Sequence, residues 1–342
     1  MDALSQIFED IHFKKTEYLY LQGQGNWSFQ SNQQDSVITH IALFGELFLK
    51  FENGNELHLN TGDMVIIPSG MKHIGHSHAD QKLVENFLID QQFRGLRDDA
   101  IHLGDKSTKA QSLIFTIRSH LDSVMAVPLI NALPNYLHLR NALNAQEPEW
   151  LRIGLYFVAN ETQNNHPGRH KIMDHVVSIM LIESVRDFIL QQHNKSADPS
   201  DFNPNQKNLK QTFVINDQRD FNANWLMALT HPELSNAFNA IHGQPEHPWT
   251  VESLAEVCFM SRSKFADLFH RIVGEPPLSY LKQHRLRLAC QQLRNGQMPI
   301  QQIAHKVGYS SETAFSQAFK KHFLMSPSQY KQLHSTAPKS KQ

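Results

Sequence analysis

Two histidines in the N-terminal third of this 342-residue sequence have side chains that could hold a ligand or a metal ion. In the segment GDMVIIPSGMKH, residues 62–73, a turn, a buried strand and a second turn deliver His73 to the interior of a sheet. His40 lies in the apolar segment VITHIALF, residues 37–44, which is typical of a buried strand. Both imidazoles are therefore expected in the interior of one β domain.

A catalytic metal centre requires three or four converging ligands and an open coordination position. Three further histidines lie nearby, namely His58, His76 and His78, but chance clusters are expected among 21 histidines. We therefore predict no metal ion and no cofactor. We expect a pocket for a small organic effector instead, lined by His40, Phe44, Phe48 and His73. The alternative is a purely structural domain in which His40 and His73 hydrogen-bond in the interior.

The elements that must position these residues are strands. Residues 17–93 contain seven short segments rich in β-branched and aromatic residues, separated by turn signals, and this pattern indicates an antiparallel sandwich or barrel. Over residues 129–193 the apolar residues recur at helical spacing, beginning with Leu129, Leu133 and Leu137. A helix around 172–190 is apolar on more than one face. Such a helix either covers the β domain or is shared with a partner subunit.

The spacing of residues 62–73 resembles the second motif of the cupin β-barrels. The resemblance implies a two-domain α+β chain whose N-terminal domain is a cupin-like antiparallel β-barrel with following helices. The first cupin motif would supply His-x-His and a nearby Glu, whereas here His40 stands alone and Glu46 follows at a longer spacing. This incomplete ligand set argues against a cupin metal enzyme, such as a dioxygenase or isomerase, which stays open as the alternative function.

An internal repeat dominates the C-terminal part. Residues 254–269 and 303–319 both contain an apolar residue followed by Ala, then a turn, a Ser and a helix with Phe at positions i and i+4. The pattern predicts two helix-turn-helix motifs, at about 250–272 and 299–322. An all-α domain that carries two such motifs in tandem is typical of DNA-binding proteins.

The capping residues and one long helix support the repeat. Thr250 is a good N-cap for the first helix, and Ser261 or Ser263 caps the next one. Residues 277–294 are expected to form one stiff helix that ends at Gly296. This helix would hold the two recognition helices at a fixed separation.

Residues 232–334 resemble the DNA-binding domain of the AraC/XylS-type transcription regulators, through WTVESLAEVCFMSRSKFADLFHRIVGEPPLSYLKQHRLRLA and IQQIAHKVGYSSETAFSQAFKKHFLMSPSQY. The resemblance implies sequence-specific DNA binding by recognition helices at about 262–272 and 312–322. It places the base-facing positions at Ser263, Ala266, Asp267, Glu312, Thr313, Ser316 and Gln317. Phosphate contacts suit the basic residues Arg262, Lys264, Arg271, Lys320 and Lys321. Upstream segments such as ALPNYLHLR resemble the AraC-type subgroup whose sensor domain is a cupin.

Two positions depart from the AraC/XylS pattern. Phe259 and Leu324 stand where the family has Gly, and a left-handed turn would strain either side chain. We therefore expect adjusted turns at both sites. Ala266 and Asp267 are also unusual, because Ala can only touch a thymine methyl and Asp can only accept a hydrogen bond. The first motif is expected to read few bases directly.

Charge and composition agree with this division. Residues 245–342 contain 13 Lys and Arg against 6 Asp and Glu, which gives +7, whereas residues 1–244 carry a net charge of −8. A polyanionic partner is therefore expected for the C-terminal part alone. The two cysteines, Cys258 and Cys290, lie on apolar helix faces, so they are expected to be core residues and not redox sensors. The sequence shows no secretory signal or long apolar segment, which favours a cytoplasmic protein.

These observations predict three regions. Residues 1–193 form the cupin-like effector domain with connecting helices, residues 194–224 a polar linker, and residues 225–334 the DNA-binding domain. The predicted function is a non-enzymatic transcription regulator that is controlled by a small effector and binds double-stranded DNA. Family resemblance favours an activator and a homodimer, with RNA polymerase as a further candidate partner. A ligand-independent repressor with a structural barrel is the remaining alternative.

Overall fold

The computed structural model describes residues 2–11, 13–33, 36–78, 87–93, 100–122, 124–140, 153–154, 157, 167–196, 213–214, 225–296 and 298–334. The chain divides into two compact units. Residues 13–122 and 129–219 form one, here called the sheet unit, and residues 1–12, 123–128 and 220–342 form the other, here called the helical unit. Residues 2–11 thus group by their contacts with the helical unit, although the predicted N-terminal domain, residues 1–193, includes them.

The sheet unit contains twelve described strands. They are β1 (Phe13–Gln24), β2 (Ser28–Ser31), β3 (Ser36–Phe44), β4 (Leu47–Phe51), β5 (Glu56–Leu59), β6 (Met64–Ile67), β7 (His73–His76), β8 (Phe87–Leu88), β9 (Ile101–Gly104), β10 (Ala110–Leu121), β11 (Leu137–Leu139) and β12 (Phe213–Val214). A short 3₁₀ helix, Ile89–Gln92, follows β8. One sheet has the order β12-β11-β6-β3-β10-β1-β9, and the other has the order β5-β4-β7-β2-β8.

The predicted two-domain α+β class is confirmed, with one difference in the β architecture. Among the described residues the strands form two separate sheets rather than one closed barrel. The pairing is also not wholly antiparallel, because β1 pairs with β9 and β2 pairs with β8 in parallel. The core lies between the two sheets and includes Leu19, Phe29, Ile38, Leu49 and Val65. Side chains of successive strand residues point to opposite faces, so Ile38, His40 and Ala42 share the inner face of β3.

Helix α3 (Arg169–Ser196) packs on the outer face of the larger sheet. Val177, Met180 and Leu181 are buried there, whereas Ile172 and Ile179 on the same helix are exposed. The helix therefore covers the sheet, as one of the two sequence-based alternatives proposed, and also presents apolar side chains to solvent.

Two parts of the sheet unit differ from the sequence prediction. The spacing of Leu129, Leu133 and Leu137 predicts a helix that includes Leu137. In the structure, helix α2 (Val127–Ala132) ends before that residue, and Leu137 lies in β11. Pro134 explains the difference, because proline cannot continue a helix. The long strand β10 was not predicted. The predicted linker, residues 194–224, lies largely outside the described residues, so its boundaries remain a prediction.

The helical unit contains nine described helices besides the shared α2. They are α1 (Ala3–Asp10), α4 (Trp225–Thr230), α5 (Ser235–Gly243), α6 (Val251–Val257), α7 (Arg262–Val273), α8 (Pro277–Asn295), α9 (Ile300–Lys306), α10 (Glu312–Phe323) and α11 (Pro327–His334). Thr250 caps α6 in a reciprocal box with Ser253, and Ser261 rather than Ser263 caps α7. No helix in the described ranges is long and apolar enough to cross a membrane.

Helix α8 belongs to two hydrophobic cores. Its first half contributes Tyr280 and Leu281 to the core around α6 and α7. Its second half contributes Leu286, Cys290 and Leu293 to the core around α9 and α10. The two helix-turn-helix motifs are therefore joined by one helix that each of them buries.

The turns at the two atypical positions are not adjusted. Phe259 has φ of 56° and Leu324 has φ of 59°, so both non-glycine residues adopt the left-handed conformation. The expectation of adjusted turns is wrong. Both side chains are exposed, so neither clashes with the core. The two turns keep the left-handed geometry, and the non-glycine residues carry local backbone strain.

Candidate functional site

The predicted contacts of the first motif lie on the outer face of α7. Phe265 and Phe269 point into the core, as their i, i+4 spacing predicts. The opposite face exposes Arg262, Ser263, Lys264, Asp267 and Arg271, with Ala266 half-buried. Ala255 of α6 is fully buried, which allows α6 and α7 to approach closely.

The second motif has the same construction. Phe315 and Phe319 of α10 are buried, and Ala304 of α9 is buried beside them. The outer face of α10 exposes Glu312, Thr313, Gln317, Lys320 and Lys321, with Ser316 half-buried. The structure therefore places the predicted residues of each motif together on one exposed helix face.

The two faces differ in how their cations are engaged. Arg262 Nε lies 2.9 Å from Glu252 Oε1, and Lys264 Nζ lies 2.5 Å from Glu233 Oε1. The hydrogen bond from Lys264 lowers the pKa of Glu233. Lys320 and Lys321 form no ion pair with any residue that the structure describes. The cations of α10 are thus more available to an anionic partner.

In the sheet unit, His40 and His73 meet between the two sheets. Their Nε2 atoms lie 2.9 Å apart, His40 Nδ1 lies 2.9 Å from Thr116 Oγ1, and His73 Nδ1 lies 2.7 Å from the Met71 carbonyl oxygen. Burial lowers the pKa of His73 to about 4 and lowers that of His40 well below its ordinary value. Both imidazoles are therefore neutral at physiological pH.

Because both imidazoles are neutral, the donor and the acceptor of each hydrogen bond from Thr116 through His40 and His73 to Met71 can be assigned. A carbonyl can only accept, so His73 donates from Nδ1 to Met71 and its Nε2 carries the lone pair. His40 then donates from Nε2 to His73, and its Nδ1 accepts from the Thr116 hydroxyl. Both lone pairs are consequently engaged within the protein.

The structure does not bring the two predicted aromatic residues to this pair. Phe48 lies on the outer face of the smaller sheet, where its ring stacks on His58 at 4.2 Å between centroids and on His76 at 5.9 Å. Phe44 ends β3 and is 55% exposed. Phe29 instead packs against His40, with ring centroids 5.4 Å apart. The proposed four-residue pocket therefore does not correspond to one cavity in this structure.

A cleft does occur between α3 and the outer face of the larger sheet. Its enclosed space is small, about 10 Å³, which is room for about one water molecule. It is lined by Val37, Thr39, Met64, Ile66, Ile117, Ser119, Val177, Met180 and Leu181. No sequence motif marks this cleft, although the unbroken apolar run of β3 is typical of a strand that is covered on both faces.

Both cysteines are buried, Cys290 completely. Burial raises the pKa of the Cys258 thiol, which opposes the thiolate that reactive cysteines need. The two thiols pack in the separate cores of the helical unit.

Comparisons with known proteins identify the family to which this chain belongs. A family described as Cupin matches residues 2–189, and one described as Helix-turn-helix domain matches residues 254–333. The HTH-type transcriptional regulator AlkR of Acinetobacter baylyi is 52% identical over 332 residues, covering 97% of this chain and 99% of that protein.

Two further relatives are more distant. The RCS-specific HTH-type transcriptional activator RclR of Escherichia coli is 30% identical over 59% of this chain and 62% of that protein. An uncharacterized HTH-type transcriptional regulator of Haemophilus influenzae is 27% identical over 97% of this chain and 98% of that protein. The two matched domains and the full-length similarity agree with the paired helix-turn-helix motifs and the two-sheet unit. This chain belongs to the AraC-type family of DNA-binding transcriptional regulators that carry an N-terminal cupin domain.

Proposed function

We propose that this regulator binds operator DNA with α7 and α10 together, each in the major groove. The observation that carries the proposal is the pair of exposed polar faces held on α8. Helix α8 has 19 residues, which correspond to a length of about 28 Å at 1.5 Å per residue. Successive major-groove segments on one face of DNA are ~34 Å apart, so one rigid helix of this length suits two recognition helices in neighbouring segments.

Within this proposal the residues divide by role. The bases would be read by Ser263, Ala266, Asp267, Glu312, Thr313, Ser316 and Gln317, and the phosphates would be held by Arg262, Lys264, Arg271, Lys320 and Lys321. Arg262 and Lys264 must leave Glu252 and Glu233 to reach phosphates, whereas Lys320 and Lys321 need not exchange partners. We therefore assign the stronger phosphate anchoring to α10.

The test is a footprint of the full chain on sites selected from random DNA. We expect two protected patches about one helical turn apart on one face of the duplex. One continuous patch, or protection without sequence preference, would overturn the tandem arrangement.

We further propose that a small apolar molecule controls DNA binding through the sheet unit. The cleft between α3 and the larger sheet is the location we infer, because its walls are apolar apart from the hydroxyls of Thr39 and Ser119. Helix α3 must move away from the sheet to admit the molecule. A ligand there would bias the position of α3, provided that it binds one arrangement more tightly than the other. The region of His40, Phe44, Phe48 and His73 stays the alternative location.

Native mass spectrometry of the full chain, purified from its host, tests this location. We expect a small organic adduct that is lost in Met180→Trp, whose indole would fill the space that a movement of α3 opens. Phe44→Ala, which changes the exposed member of the alternative set, is the control and should keep the adduct. The reverse pattern would place the effector in the alternative region.

The remaining assignments extend this proposal. We infer a cytoplasmic homodimer that activates transcription and contacts RNA polymerase. Exposed Ile172, Ile179 and Leu190 on α3 support a subunit contact. The names of the relatives as transcriptional regulators support a non-enzymatic protein. The engaged lone pairs of His40 and His73 agree with that assignment.

A further inference from the structure

Three potential metal ligands converge inside the helical unit, away from the DNA-facing helix surfaces. They are Asp10 at the end of α1, His242 in the last turn of α5 and His284 in the middle of α8. Each offers one ligand atom, and the three atoms lie within 4.8 Å of one another. His242 is 5% exposed and His284 is 3% exposed, so both imidazoles are removed from bulk water.

The hydrogen bonds of this cluster are incomplete. His242 Nε2 lies 2.9 Å from Tyr280 Oη, but His242 Nδ1 has no hydrogen-bond partner among the described residues. His284 Nε2 is buried and likewise has no partner there. The two imidazole rings lie 4.3 Å apart between centroids. Two unpartnered buried nitrogens beside a carboxylate are uncommon, because buried polar atoms in native proteins nearly always have a partner.

The protonation states suit a cation. Burial, with a smaller contribution from the Arg287 guanidinium, lowers the pKa of His242 to about 3, and burial also lowers the pKa of His284. Both rings are therefore neutral and keep a lone pair at physiological pH. Burial and the neighbouring Glu9 raise the pKa of Asp10 to about 6, against the hydrogen bond from Gln6 and the charge of Arg287. Asp10 is thus mainly ionised at neutral pH.

We propose that Asp10, His242 and His284 bind a divalent transition-metal ion of the zinc class. Two imidazole nitrogens and one carboxylate oxygen match the preferences of this class better than those of Mg²⁺ or Ca²⁺, which favour oxygen ligands. Ligand atoms around a tetrahedral zinc ion with bonds of ~2.0–2.1 Å are separated by about 3.3 Å. The three ligand atoms lie within 4.8 Å of one another, so side-chain rotation would have to bring them closer by up to about 1.5 Å.

The surrounding residues provide the outer shell that such sites use. If His242 coordinates through Nδ1, its Nε2–H is directed to Tyr280 Oη, which fixes the tautomer and the orientation of the ring. The ion would satisfy the two unpartnered nitrogens and would lie beside the positive charge of Arg287, which Asp10 offsets. A water molecule could complete the coordination.

Metal binding would attach the N-terminal helix to the DNA-binding half of the chain. Helix α1 already contacts α5, where the Ala3 amide donates to Asn239 Oδ1 at 2.8 Å, and Ala3 is buried in the core of the first motif. The ion would join α1, α5 and α8 at the opposite end of α1. The site therefore couples the first residues of the chain to the helix that carries both motifs.

Zinc titration of the full chain after removal of metal with a chelator tests the site. We expect one Zn²⁺ per chain by isothermal titration calorimetry, and Co²⁺ should give the visible absorption bands of a low-symmetry nitrogen and oxygen site. Asp10→Asn keeps the shape of the side chain and should weaken zinc binding by at least about tenfold. Glu256→Gln, at an exposed residue of α6, is the matched control and should leave the affinity unchanged.

Two further measurements keep the result decisive. Zinc should raise the melting temperature of the wild-type chain and of Glu256→Gln, but much less that of Asp10→Asn. Circular dichroism of each apo variant separates metal loss from unfolding. Absence of zinc binding, or binding that Asp10→Asn leaves unchanged, would overturn the proposal. Binding that is instead lost in His73→Gln would place the ion between the sheets and would also overturn it.

Discussion

His40 Nε2 and His73 Nε2 lie 2.9 Å apart in the closed core between the two sheets, and each ring is held on its other side by Thr116 or Met71. Hydrogen-bond donors and acceptors alternate along this chain of four residues. A motif that resembles a cupin ligand site has here become an internally satisfied polar network, which fixes the alignment of β3 against β7.

The histidine pair predicts a pH dependence of stability. The folded-state pKa values of His40 and His73 lie below the ordinary value of 6.5, so the unfolded chain binds more protons between about pH 6.5 and 4. Stability should therefore be fully present above pH 6.5 and decrease as the pH falls towards 4. Each histidine contributes a slope of up to about 1.4 kcal/mol per pH unit.

Chemical denaturation across this pH range measures the slope. His242 and His284 titrate in the same direction, so the comparison must be between variants. His40→Leu/His73→Leu should show a shallower dependence than wild type, whereas His102→Gln, at an exposed site, should not. An equal slope in wild type and the double variant would contradict neutral buried histidines.

Thr116→Val tests the direction of the hydrogen-bond chain. The substitution keeps the shape of the side chain and removes the hydroxyl that donates to His40 Nδ1, so a buried acceptor loses its partner. We expect a loss of about 1–3 kcal/mol in the free energy of unfolding. Thr116→Ser retains the hydroxyl and is the control. A larger loss in the Ser variant than in the Val variant would show that the methyl group matters more than the hydrogen bond.

The buried ion pair between Glu17 and Arg118 predicts a second loss of stability, at lower pH. Arg118 Nε and Nη2 lie 3.0 and 2.5 Å from Glu17 Oε2, and Lys15 contacts the other carboxylate oxygen. Burial opposes ionisation, but these hydrogen bonds lower the pKa of Glu17 to about 2. The stabilisation is therefore present above pH 4.5 and is lost as the pH falls towards 2.

Glu17→Gln should cost about 3 kcal/mol at pH 7, because it leaves a buried guanidinium without its counter-ion. The difference between wild type and variant in denaturation should shrink as the pH is lowered. Glu56→Gln breaks the exposed pair with Lys50 and should change stability little. A difference that does not depend on pH would refute the assignment to ionised Glu17.

Phe259→Gly should stabilise the helical unit. Phe259 is 92% exposed and has φ of 56°, so the substitution relieves left-handed strain and gives up almost no packing. We expect a gain of about 0.5–1 kcal/mol in thermal or chemical unfolding. Phe259→Ala removes the same ring but keeps the strain, and should be close to neutral. Equal gains in both variants would point to loss of the exposed ring as the cause.

Lys320 and Gln317 should affect DNA binding in different ways. Lys320→Ala should weaken binding to all sequences alike and reduce the salt dependence of affinity by ~1 unit of slope. Gln317→Ala should instead relax the preference at one base pair. Affinity measured over a salt series and a set of single-base operator variants separates the two. Unchanged preference in Gln317→Ala, or a sequence-dependent defect in Lys320→Ala, would reassign these residues.

The sequence predicts the helical unit better than the sheet unit, for physical reasons. Caps such as Thr250 and the i, i+4 phenylalanines act within a few residues, so the local sequence contains them. Strand β11 instead depends on pairing with β6, which is distant in sequence, and the spacing of Leu133 and Leu137 alone resembles a helix. The turns at Phe259 and Leu324 show the reverse case, because helix packing around them outweighs the preference of the single residue.

The candidate sites follow the same rule. The polar residues of α7 and of α10 lie close together in sequence, and the structure places them on exposed helix faces as the repeat predicts. The cleft beside Met180 and the cluster of Asp10, His242 and His284 combine residues from distant parts of the chain. No spacing rule connects such positions, so only the fold shows them.

A helix that is buried in two cores cannot bend without opening one of them, and α8 is such a helix. In the proposed tandem binding, α8 therefore holds α7 and α10 at one fixed separation. When an operator presents its half-sites at another spacing, the duplex must supply the adjustment by bending or twisting. Flexible base-pair steps between the half-sites then become part of the recognised signal, although no side chain touches them.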